Sequence, residues 1–177
     1  IFSPHPDDDV ISMGGTFDRL VSQGHEVHVA YQTSGNIAVN NSDVLKFLEV
    51  FSEISKKAEK DYSKLNKILK KSNEILENKD LRNIAGLIRE KESLAATRFI
   101  GISDSNVHFL KLPFYETRTV KKSNPGKSDF KILNNIICKI KPHQIYAAGD
   151  LADPHGTHKV CLDILFEVLK NLSLIHI

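Results

Sequence analysis

The chain has 177 residues, 41% of them hydrophobic, enough to bury a core within one domain of ordinary size. Its 24 Lys and Arg against 22 Asp and Glu leave a net charge of +2, with no basic cluster interleaved with aromatics, which argues against nucleic acid as a partner. No run of apolar residues is long enough to span a membrane, and the two cysteines, Cys138 and Cys161, read as buried free thiols on apolar helices.

Ile1 to Pro4 reads as the end of a buried strand, running into the turn His5-Pro6-Asp7-Asp8-Asp9. Gly14-Gly15 is expected to let the backbone turn closely, and a helix is expected from Thr16 until Gly24 stops it. His25 to Tyr31 alternates and is β-rich, so it is the second strand. A strand, a helix and a strand on short connections make a βαβ unit and hence a parallel sheet. The loop Thr33-Ser34-Gly35-Asn36 leaves the carboxyl end of that strand, on the same sheet edge as the aspartates, where open α/β sheets bind their ligands.

Residues 41–86 are rich in Lys, Glu and Asn and place Leu45, Leu48, Phe51 and Ile54 at helical spacing, which predicts a solvated helical insertion in the α/β core. A helix from Arg89 to Ile100 stops at Gly101, and Val107 to Leu112 is a third strand closed by Pro113. After a polar loop, 121–128, come a helix from Phe130 to Ile140, a fourth strand from Gln144 to Ala148, a loop to Thr157 and a helix from His158 to Leu169. The fold class is therefore α/β: a parallel, Rossmann-like sheet with flanking helices and an inserted helical segment. Only four strands are visible, the first already under way at Ile1, so the domain over 1–171 is expected to be a fragment truncated at both ends. The hexapeptide 172–177, Leu-Ser-Leu-Ile-His-Ile, is one translation of a transposon-end adapter used in sequencing libraries and is expected to be a non-native tail.

Three consecutive aspartates repel one another unless a cation is near. His5 and Asp8 can grip one divalent ion, leaving Asp7 free to act as a base on a water activated there. Far downstream, His155 and His158 stand three apart at the mouth of a helix. Either could supply a third ligand, and three protein ligands with one open position are the layout of a catalytic zinc site. Neither Ser3 nor Ser12 has the neighbours of a nucleophile, and the first turn lacks the glycine pattern or the lysine of a nucleotide site.

Pro4-His5-Pro6-Asp7-Asp8-Asp9, Arg89-x-x-Glu92-x-x-x-Ala96-x-x-x-Ile100-Gly101 and Pro154-His155-x-x-His158 together resemble the PIG-L family, the LmbE-like zinc N-deacetylases. Residues 3–16 and 31–39 look like the C-terminal half of bacterial proteins named glucosamine-6-phosphate deaminases. The resemblance implies that His5, Asp8 and His158 hold one Zn2+ and that Asp7 is the general base. It further implies that His155 is the acid facing the oxyanion, with Arg89 and Asn36 binding an N-acetylated amino sugar. Asp9 stands where Glu is usual. Thr157 stands where many members carry an Asp that buttresses the catalytic histidine, with Asp153 on the other side as a substitute. The expected function is zinc-dependent removal of an N-acetyl group in the cytoplasm, with no membrane partner and with an upstream deaminase-like domain and a homo-oligomer as compatible partners. The competing reading is a non-catalytic metal- or sugar-binding module attached to such a domain.

Overall fold

The computed structural model describes residues 1–57, 79–117, 122–149, 152 and 154–172. Three short parallel strands, β1 (Phe2–Ser3), β2 (Val29–Tyr31) and β3 (Val107–Phe109), form a sheet in that spatial order. The register pairs Phe2 with Ala30 and Val29 with Val107. The predicted fourth strand is reduced to a parallel bridge between Ala147 and Phe2. It lies on the far side of β1 from β2, so the chain reverses its direction of winding at β1.

The sheet is covered on both faces, as strand alternation demands. Val29, Tyr31, Val107 and Phe109 face a layer made by Phe17 of helix α1 (Asp8–Ser22) and Leu94 of helix α3 (Lys79–Phe99). Phe2 and Ala30, one step out of phase, face Leu133 and Ile137 of α4 (Lys127–Ile140) and Ile164 and Leu165 of α5 (Thr157–Asn171). The result is an α/β protein with a small parallel sheet between helices. Helix α2 (Asn41–Lys57) packs outside this sandwich, where Val44 and Leu48 meet Leu81, Ala85 and Ile88 of α3 in a separate small cluster.

Several expected boundaries move. Helix α1 begins at Asp8, so Gly14 and Gly15 lie inside it rather than in a turn. The Ser3 hydroxyl explains the early start: it donates to the His5 carbonyl at 2.6 Å and accepts from the Asp9 N–H at 3.1 Å, satisfying one of the first amides of the helix. Helix α3 begins well before Arg89, at Lys79, so the arginine sits in the middle of a long helix. Cys161 is buried, but Cys138 is exposed, which corrects the expectation of two buried thiols; both are free. Phe51 and Ile54, at helical spacing with Leu48, are more than half exposed. Residues 58–78 of the insertion and 173–177 of the tail lie outside the described residues.

Candidate metal centre

The turn between β1 and α1 is fixed from three sides. Gln32 and Thr33 donate backbone N–H groups to the carbonyls of Ser3 and Pro4, the Thr33 hydroxyl donates again to Pro4 at 2.7 Å, and Ser93 of α3 donates to the Pro6 carbonyl at 3.1 Å. Gly35 is required here: its φ is +60°, and a Cβ would lie 2.8 Å from the Pro6 ring. The packing holds the turn at the carboxyl end of β1.

From this turn His5 and Asp8 meet His158, on the first turn of α5. The three atoms His5 Nδ1, Asp8 Oδ2 and His158 Nε2 form a nearly equilateral triangle with edges of 3.0, 3.1 and 3.2 Å. A tetrahedral ion with bonds of about 2.0–2.1 Å separates its ligand atoms by about 3.3 Å, so the triangle has the size that one such ion requires. Two imidazole nitrogens and a carboxylate oxygen also form a donor set suited to zinc. Among the described residues this is the group of three potential ligands that falls within reach of one ion. Asp8 is held below the usual carboxylate range. Burial pushes its carboxyl upward, but the hydrogen bond and charge of His5, the His5 N–H and the charge of His158 outweigh it. A cleft of about 380 Å³ opens beside Asp8 and His158, bordered by Phe2, Pro4, Ala147 and Gly149. It lies at the reversal point of the strand order, the position where open α/β sheets bind ligands.

The neighbouring acids turn elsewhere. Asp7 pairs with Arg89 at 2.6 Å, while the second arm of that guanidinium takes Glu92 at 3.1 Å. Burial lowers the Arg89 pKa, but the hydrogen bond and charge of Asp7 and the charge of Glu92 raise it beyond its ordinary value, so the guanidinium remains a fixed cation. Asp9 points into the core and accepts the Tyr31 hydroxyl at 2.6 Å. Asn36 directs its amide to Glu116 at 3.4 Å and lines a cleft of about 440 Å³ with Arg82 and Asn40. His155 is exposed on the loop ahead of α5. Asp153, the proposed stand-in for the missing acid at 157, lies outside the described residues.

Three residues of this region were not singled out from sequence. Tyr115, buried, meets the His5 ring edge-on at 5.8 Å, and its phenol is pushed up to about 12 by burial and by Glu116. Glu116 accepts the Ser34 N–H at 3.1 Å and so braces the Asn36 loop. Lys122 donates to the His155 carbonyl at 3.1 Å and to the Thr157 hydroxyl. The first two follow β3 at the carboxyl edge of the sheet, a position that could have flagged them; Lys122 sits in a polar stretch that carries no such signal.

Fold and site together define a parallel α/β protein with a two-histidine, one-carboxylate centre at the sheet's switch point. The family profile described as GlcNAc-PI de-N-acetylase (PIG-L) matches residues 1–169, and the chain belongs to that family. It is 50% identical over 175 residues to a glucosamine-6-phosphate deaminase-like protein of Bacteroides thetaiotaomicron, a match covering 94% of this chain and 26% of that relative. The chain thus spans about a quarter of that protein's length. Among the described residues no helix is long and apolar enough to cross a membrane.

Proposed function

We propose that this chain is a zinc-dependent hydrolase that removes the N-acetyl group from an N-acetylglucosamine-type amino sugar. The observation that carries the reading is the triangle of His5, Asp8 and His158 with a second carboxylate, Asp7, next to it and turned onto Arg89 instead of joining the ligands. The family description points to the same reaction class.

A divalent ion held by His5, Asp8 and His158 would supply an acidified water and polarise an amide carbonyl. Asp7 then accepts the proton of the attacking water, with Arg89 fixing the rotamer of its carboxylate. His155 faces the charge that develops on the acetyl oxygen and donates a proton to the amide nitrogen as the C–N bond breaks, releasing acetate and a free amine. Arg89 and Asn36 contact the sugar, and the Rossmann-like sheet edge supplies the platform. We propose further that an upstream deaminase-like domain precedes this one, a reading supported by the match covering 26% of the relative's length.

The test is release of free amine from N-acetylglucosamine derivatives by the zinc-loaded chain, with metal content measured in parallel. Turnover that disappears on chelation and returns with zinc is the expected result. One observation favours the alternative of a non-catalytic metal- or sugar-binding module: Thr157 occupies the place of the acid that many members use. Sugar binding with zinc present and no amine released would establish that alternative.

A further inference from the structure

Gly156 is the N-cap of helix α5; it adopts a left-handed conformation (φ +68°) and, having no side chain, gives the helix no side-chain cap. The two residues flanking this glycine are His155 and Thr157, and both are held from outside the helix by one side chain. The Lys122 ammonium donates to the His155 carbonyl at 3.1 Å and to the hydroxyl of Thr157, a fully buried residue. The same ammonium stands 5.5 Å from the centre of the Tyr115 ring, within the range of cation–π attraction. Tyr115 in turn meets the His5 ring at 5.8 Å. One cation therefore connects the loop that presents His155 and starts the helix of His158 with the ring packed against the first histidine of the triangle. The helix dipole opposes a cation at an N-terminus, so the two hydrogen bonds, and not the dipole, hold Lys122 there.

We infer that Lys122 is a positioning residue, a clasp that fixes the turn from His155 to Thr157 at the start of the helix that carries His158. The assignment of a catalytic consequence rests on the deacetylase reading above. Lys122 acts on the backbone carbonyl of His155 and on the residue after the glycine. The imidazole of His155 is thereby placed by its main chain.

The test uses the full chain with Lys122→Met, which keeps an unbranched apolar side chain and removes the ammonium, and Lys122→Arg, which restores a cationic donor. Amide hydrogen exchange at Val160 and Cys161, whose N–H groups close the first turn of α5, should rise roughly tenfold or more in metal-free Lys122→Met, the scale of a lost hydrogen bond to a charged group, and fall back in Lys122→Arg. In the zinc-loaded chain kcat should drop roughly tenfold or more with KM within about twofold, again recovered by arginine. Unchanged exchange in Lys122→Met overturns the clasp. Raised exchange with unchanged kcat overturns its positioning role. A wild-type chain that binds zinc and sugar without turnover sinks the deacetylase reading instead, and exchange alone then decides the clasp. Should Lys122→Met fail to fold, Thr157→Val removes one of the two contacts from the opposite side and should raise exchange at the same amides; no rise there counts equally against the clasp.

Discussion

Asp7, Asp8 and Asp9 are chemically identical and adjacent, yet each meets a different environment. Asp8 faces two histidines, Asp7 faces Arg89 with its side chain 44% exposed, and Asp9 is 3% exposed against Tyr31. Asp7→Asn should therefore keep zinc near one per chain and lower kcat by about 10²–10⁴, the usual worth of a general base, as read by metal analysis beside amine release. Normal turnover would show that the base lies elsewhere. Asp9 gives a pH test. Burial, aided by the charge of Asp7, raises its pKa despite the Tyr31 hydrogen bond. A carboxyl raised above its unfolded value of about 3.9 costs stability while ionised at neutral pH, and that cost is relieved as pH falls through the raised folded value. Asp9→Asn does not titrate, so the stability of wild type relative to this variant should improve between pH 7 and about pH 4. Urea midpoints of the metal-free proteins at the two pH values measure it, and a gap independent of pH refutes the assignment.

At the scale of elements, periodicity identified α2 as a helix but not the face it buries. Spacing grouped Leu45, Leu48, Phe51 and Ile54, whereas the structure buries Val44 and Leu48 against α3 and leaves Phe51 and Ile54 exposed. A periodic pattern reports that a helix has an apolar stripe; the partner decides which stripe is covered, and that partner, α3, lies beyond residues 58–78 in sequence. The start of α1 was equally hidden, because it depends on the Ser3 hydroxyl reaching both His5 and Asp9. The α2–α3 cluster lies apart from the sheet core, which makes its energetic role separable. Leu81 is fully buried there, and Leu81→Ala should cost about 2–5 kcal/mol of local stability. Zinc affinity should stay within a few-fold, because no ligand of the triangle is on either helix. Hydrogen exchange and metal titration check the two halves, and a large loss of affinity would mean that α2 supports the centre directly.

Over the whole molecule, the choice of His158 over His155 came from the family resemblance, but the convergence of the histidine pair with His5 and Asp8 was legible because parallel βαβ connections bring every strand's carboxyl end to one edge. The division of labour among the residues around that edge was not, since Tyr115, Glu116 and Lys122 act through contacts that leave no spacing pattern. The same topology sets what a metal does to stability. His5 and His158 are 153 residues apart in sequence but 3.2 Å apart in space, so the complete ligand set exists in the folded chain and is scattered in the unfolded one. Binding free energy at such a site is folding free energy. Zinc at about 100 times its dissociation constant should contribute about 2.7 kcal/mol, which for a domain of this size raises Tm by roughly 5–10 °C. Chelation should reverse the shift, Asp7→Asn should preserve it, and Asp8→Ala should abolish it. The gain in amide protection should fall at both ends of the chain, at the β1–α1 turn and the start of α5, and spare α2. Should Asp8→Ala retain the full shift, the stabilising ion sits outside the triangle and the proposed centre is wrong.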